Sequence, residues 1–300
     1  LPNRPNRQAR VDYLGGGLLA STLLVVSLAV SREGLFTFTS PLPFLIGAPG
    51  VLLAITLGVT QRRTLQPLLP AFLFRSWAFV IANVTQFLVG VSLIIAMVTV
   101  PLMANTIMGR DPFTGALWLL RLTGAIPVGA VLGGWLLSRV GVRSITVTGL
   151  ALTTLGLFLV SNWQIGVSEP DLTLHLAMAG FGFGLVIAPI VTHALNVVRD
   201  EYQGTAASLV VVARMLGMTL GLAALSAWGV EHFQALTAGL DLPLPMPGES
   251  TASVEARLIE YNNNLNAAGL ALFHNFFRAA AGVSLLAIVP AMMMWGDRRR

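Results

Sequence analysis

An all-α integral membrane fold is what this 300-residue sequence predicts, and three observations predict it. Eight predominantly apolar blocks, at roughly 13–31, 42–60, 77–99, 115–138, 145–162, 173–195, 205–229 and 273–295, each match a hydrocarbon core of ~30 Å at 1.5 Å rise per residue. Hydrophobic residues make up 55% of the chain and charged residues only 10%, against about 25% charged in soluble domains. The apolar residues run all round each block and leave no solvated face. Backbone groups at membrane depth must then be satisfied inside helices, so strands are not expected.

The blocks divide into units. Residues 1–12 read as a cytoplasmic segment that lacks the charged, apolar, small-residue order of a signal peptide, and a start at Leu1 reads as a fragment of a longer chain. Residues 13–60 form a leading pair of transmembrane helices. The following stretch 61–76, QRRTLQPLLPAFLFRS, carries two prolines and reads as a cytoplasmic link. Residues 77–296 make a six-helix unit, and within it 230–272, which contains PLPMPGES, reads as a long outer loop whose later part forms a short surface helix. Residues 297–300 are a cytoplasmic tail.

Charge sets the orientation. All 18 basic residues are arginine. With the N-terminus in the cytoplasm, Arg4, Arg7, Arg10, Arg62, Arg63, Arg75, Arg139, Arg143, Arg199, Arg298, Arg299 and Arg300 fall on the cytoplasmic side, and Arg32, Arg110 and Arg257 on the other. Twelve against three is a strong positive-inside asymmetry, and it requires an even number of spans, with both ends of this segment cytoplasmic. The same placement in short connections argues against nucleic-acid binding, despite an isoelectric point near 10.9. The chain has no cysteine, which excludes disulfides, thiolate metal sites and a cysteine nucleophile, and no metal or cofactor is expected.

Polar residues inside the spans are the candidates for function. An arginine at a helix centre costs about 2.5 to 3.5 kcal/mol on insertion scales, so Arg121 and Arg214 are candidate cavity residues, while Arg278 lies close enough to the outer interface to snorkel. Arg121 is equally compatible with snorkelling. Asn83 and Gln86, three apart on one helix face, either join helices or line a water-filled path. Asn105, His193 and Asn196 sit near helix ends, where interfacial solvation accounts for them. Gly129 with Gly133 and Gly217 with Gly221 have the G-x-x-x-G spacing of close helix contacts, and follow Arg121 and Arg214 in spans of opposite direction, as an inverted three-plus-three repeat would impose. Gly180 and Gly184 in GFGFG read as packing positions, and Pro127 and Pro189 as hinge or broken-helix points.

The stretch GGWLLSRVGVRS resembles the G-x-L-A-D-R-x-G-R-R signature of the major facilitator superfamily, with Gly134, Leu136, Arg139, Gly141 and Arg143 matching. Ser138 stands where that family has aspartate, and Val142 where it has a basic residue. VDYLGGGLLASTLLVVSLAVSREG and GTAASLVVVARMLGMTLGLA resemble segments of the fourteen-span drug:proton antiporter branch, with Gly204, Arg214 and Gly217 at its glycine and arginine positions. The resemblance covers residues 11–296. It implies two linker helices plus the C-terminal half of a transporter that exports drugs or other small amphipathic molecules in exchange for protons by alternating access. It implies as partners the lipid bilayer, a small-molecule substrate, protons and a first six-helix half carrying the proton-coupling acids, in the cell membrane. The alternatives are an exporter of another solute such as a sugar or metabolite, a membrane enzyme on lipid-linked substrates recruiting Glu231, His232 and His274, and a scaffold that transports nothing.

Overall fold

The computed structural model describes residues 12–32, 40–64, 72–244 and 250–294. They form eight α-helices: α1 (Tyr13–Val30), α2 (Leu42–Arg63), α3 (Trp77–Thr106), α4 (Pro112–Val140), α5 (Val142–Val160), α6 (Asp171–Asn196), α7 (Gln203–Thr237) and α8 (Thr251–Met292). No strand occurs among the described residues, and all eight helices are long and apolar enough to cross a membrane. Residues 1–11 of the expected cytoplasmic segment, the tail, and 65–71 of the 61–76 link lie outside the described residues.

Local chemistry sets the helix limits. Asp12 caps α1 by accepting from the Gly15 N–H at 2.8 Å, and its other oxygen takes the Gln61 amide at 2.6 Å, tying the start of α1 to the end of α2. Asp111 caps α4 the same way at Thr114, with Pro112 at the first helical position. Its carboxyl is held below the ordinary carboxylate range, first by the Thr114 hydroxyl and then by the Thr114 backbone N–H. Gly141 separates α4 from α5 at φ +88°, a conformation open to glycine, so one residue both ends a helix and starts the next.

Packing follows an internal symmetry. α3 packs on α7 and α8, while α6 packs on α4 and α5; α5 also meets α8, and α3 meets α6. Exchanging α3 with α6, α4 with α7 and α5 with α8 carries the α4–α6 contact onto α7–α3 and the α5–α6 contact onto α8–α3. That is the contact pattern of an inverted three-plus-three repeat. α3 and α6 are the central helices, and the fully buried Phe79, Phe183, Phe277 and Leu122 mark the core. α1 and α2 pair with each other and reach the bundle through α7. Large apolar side chains such as Leu45 and Val131, each 73% exposed, cover the outside, which suits a bilayer rather than water.

The segment expected as a long loop is largely helical. α7 continues to Thr237 and α8 begins at Thr251, leaving only 238–250 between them. The short surface helix expected in the segment's later part is the first turns of α8: TASVEARLIEY is rich in helix formers, and Ser250 caps its first turn by accepting from the Ser253 N–H. Of PLPMPGES, residues 245–249 lie outside the described residues. At 35 and 42 residues, α7 and α8 are about 52 and 63 Å long, well beyond a ~30 Å core. α4 and α6 run unbroken through Pro127 and Pro189, so neither proline is a break in its helix.

Candidate functional site

The glycines of the two G-x-x-x-G pairs sit at the two symmetry-related helix contacts. A Cβ at Gly129 would run into the Phe181 carbonyl and Gly184, and one at Gly133 would press on Leu185. Gly180 and Gly184 face the carbonyls of Leu122 and Ile126 from the other side. Across the α3–α7 seam, Gly217 meets the Phe87 carbonyl, Gly221 meets Val91, and Gly90 meets the Arg214 carbonyl. Backbones this close leave room for no side chain between them.

Arg214 therefore has its backbone wedged on α3. Its guanidinium is half-buried and makes no ion pair or hydrogen bond among those the described residues form. Gln86, one turn before Gly90, is fully buried, and neither amide atom finds a hydrogen-bond partner among the described residues. Asn83 is half-buried and donates from Nδ2 to the Phe79 carbonyl at 2.8 Å. Gln86 is thus sealed within the helix packing rather than lining open space. Asn83, Gln86 and Arg214 share the region of the α3–α7 seam, and an unsatisfied buried amide there is costly, by about 1 to 3 kcal/mol.

Arg121 stands apart from these three. It pairs with Glu169 in the connection between α5 and α6, and Glu169 in turn accepts from the Thr173 hydroxyl at 2.6 Å. Thr173 first, and Arg121 beside it, hold the Glu169 carboxyl below its ordinary range. Sequence reasoning missed this partner because 48 residues separate the two. His193 departs from the solvated position expected of it: it is buried, and its Nε2 is without a hydrogen-bond partner among the described residues.

The signature turn has the geometry its glycine implied. Arg139 lies over the Trp135 ring at 4.2 Å, Ser138 Oγ donates to the Trp135 carbonyl at 3.2 Å, and Arg143 is exposed. Gly134 faces open space.

An apolar cavity of ≈ 430 Å³ opens between the later halves of α3 and α7 and the middle of α8, walled by Leu102, Leu225, Phe233, Leu272 and Phe276. A second, of ≈ 320 Å³, lies where α1 meets α3 and α7, and the two share Leu222. No sequence signal pointed to either, because their walls come from three separate helices. Such volumes and linings suit apolar ligands.

No protein-family model matches the chain. It is 36% identical, over 98% of its length, to a triacylglyceride transporter of Mycolicibacterium hassiacum, covering 58% of that protein. It is 35% identical over 82% of its length to one of Mycobacteroides abscessus, covering 50%, and 30% identical over 99% of its length to one of Mycobacterium tuberculosis H37Rv, covering 59%. The chain is thus similar, almost from end to end, to about half of each of these triacylglyceride transporters.

Proposed function

We propose that this chain supplies the linker pair and C-terminal half of a major-facilitator-type secondary transporter in the cell membrane, and that its cargo is a lipid of the triacylglyceride class. The observation that carries the reading is the match of nearly the whole chain to about half of each of several triacylglyceride transporters. The inverted contact pattern supports it, since alternating access rocks such a half against its counterpart. The apolar cavities at the α3–α7 seam suit acyl chains. The relatives' names speak for transport over an enzyme on lipid-linked substrates. In this reading both ends of the segment are cytoplasmic, and a first six-helix half carries the proton-coupling acids.

A second reading, export of drugs or other amphipathic cations and anions in exchange for protons, is favoured by one observation. Arg214 puts a charge within a span, and a purely apolar cargo has no use for it. Reconstituting the full-length protein in proteoliposomes separates the two. The lipid reading expects a proton gradient to accelerate transfer of a fluorescent triacylglyceride while ethidium stays put. Ethidium movement alone would select the drug reading, and movement of neither would remove both.

A further inference from the structure

Three of the four histidines, His175 at the start of α6, His232 late in α7 and His274 in the middle of α8, take part in two neighbouring links, the first built on Trp163. Trp163 sits in the α5–α6 connection and is only 4% exposed. Its indole Nε1–H donates to His175 Nδ1 on α6 at 3.0 Å, and its carbonyl is 2.6 Å from His274 Nε2 on α8, which donates to it. Its ring meets the Trp118 ring of α4 edge-on, centroids 5.9 Å apart. One buried residue thus joins four elements, its indole meeting α4 and α6 and its backbone carbonyl α8. A second link lies beside it, where Asn275 Nδ2 and His232 Nε2 are 2.8 Å apart across α7 and α8.

We propose that Trp163 and His175 form a proton-operated latch on the α5–α6 connection. An indole offers only a donor, so His175 must present a bare nitrogen to it, with its own proton on Nε2. Adding a proton at Nδ1 sets two N–H donors against each other at 3.0 Å. No rotation of the indole supplies an acceptor. The His232 link has an escape from the same conflict, because the Asn275 amide can turn its oxygen toward a protonated ring. The latched arrangement requires the neutral imidazole and protonation opposes it, so the latch is favoured at higher pH and acid releases it.

The charged groups around His175 permit that uptake. Arg121 on α4 is already neutralised by Glu169 in the connection. Asp171, one turn back on α6 and exposed, favours an imidazolium. On α8, His274 spends its Nε2–H on the Trp163 carbonyl, and Arg278 one turn further on is exposed. Release would free the indole from α6, leaving the His274 bond to the Trp163 carbonyl and the Arg121–Glu169 pair as the connection's ties to α8 and α4.

Hydrogen–deuterium exchange of the full-length protein in nanodiscs tests this, read on 161–170 at pH 7.5 and 5.5 after correction for the intrinsic pH dependence of exchange. The latch predicts exchange on the order of ten-fold faster at pH 5.5, the scale of a buried polar group losing its partner. His175→Gln, whose carbonyl accepts the indole proton at either pH, should stay protected at both. Trp163→Phe, which keeps the ring and loses the donor, should exchange fast at both. His232→Gln should keep the wild-type step. Equal protection of the wild type at both pH values, or a wild-type step surviving in His175→Gln, would overturn the proposal.

Discussion

Gly141 holds φ +88° and ψ +156° between α4 and α5, an essentially glycine-only conformation where a side chain costs about 1 to 3 kcal/mol. Gly141→Leu should therefore lower the thermal midpoint of the full-length protein, whereas Gly134→Ala, which faces open space, should leave it unchanged. Equal midpoints for both variants would remove the strain argument. Glu169 makes a pH prediction. Its carboxyl ionises below its ordinary value of 4.5, so the tie to Arg121 contributes above that value and is lost only as pH falls through the lower folded value. Acid titration of Glu169 by difference infrared spectroscopy against Glu169→Gln should show it still ionised at pH 4.5; half-protonation there would contradict the paired geometry. Arg214 and Arg278 divide by environment. Arg214→Ala should impair transport, because its guanidinium is half-buried with its backbone wedged on α3, while Arg278→Ala, at an exposed position, should be mild. The reverse order in a transport assay would reassign Arg214 to a packing role.

At the scale of helices, the α4–α6 and α7–α3 contacts are built from the same material, glycines set against a neighbour's carbonyls. Gly217→Ala or Gly184→Ala places a methyl on a backbone oxygen and should cost about 1 to 3 kcal/mol, read as a fall in thermal midpoint. Gly282→Ala on α8 meets nothing and is the control. Much of this was legible in the chain. Span lengths and the absence of a polar face dictated eight helices, the G-x-x-x-G spacing marked where backbones meet, and Gly141 marked the tight turn. Two things were not. Hydropathy does not bound a polar helix, so the short surface helix expected after 250 gave no sign that it runs unbroken into the last span as α8. Nor can it pair residues far apart in sequence. Trp163, His175 and His274 look like three ordinary span-end residues until packing brings them together, and Arg121, which reads equally as a snorkelling or a cavity residue, pairs with a Glu169 that lies 48 residues away. Gln86 was singled out correctly as anomalous, but its burial puts it inside the packing and not on a path.

For the whole molecule, the exposed apolar surface and eight helices long and apolar enough to span a bilayer fit a multi-pass membrane protein. We propose that the chain crosses the membrane eight times, with its connections alternating between the two sides. The turn at 138–143 and the connection 238–250 then fall on opposite faces, and on the arginine distribution we propose that the first is cytoplasmic. The direct measurement is the reaction of an impermeant thiol reagent in intact cells with Ser250→Cys and Ser138→Cys, made singly in a full-length protein otherwise free of cysteine. Ser250→Cys should label at once and Ser138→Cys only after lysis. Labelling of both from the same side would contradict the eight-span account, and labelling of Ser138→Cys alone would invert the molecule in its membrane.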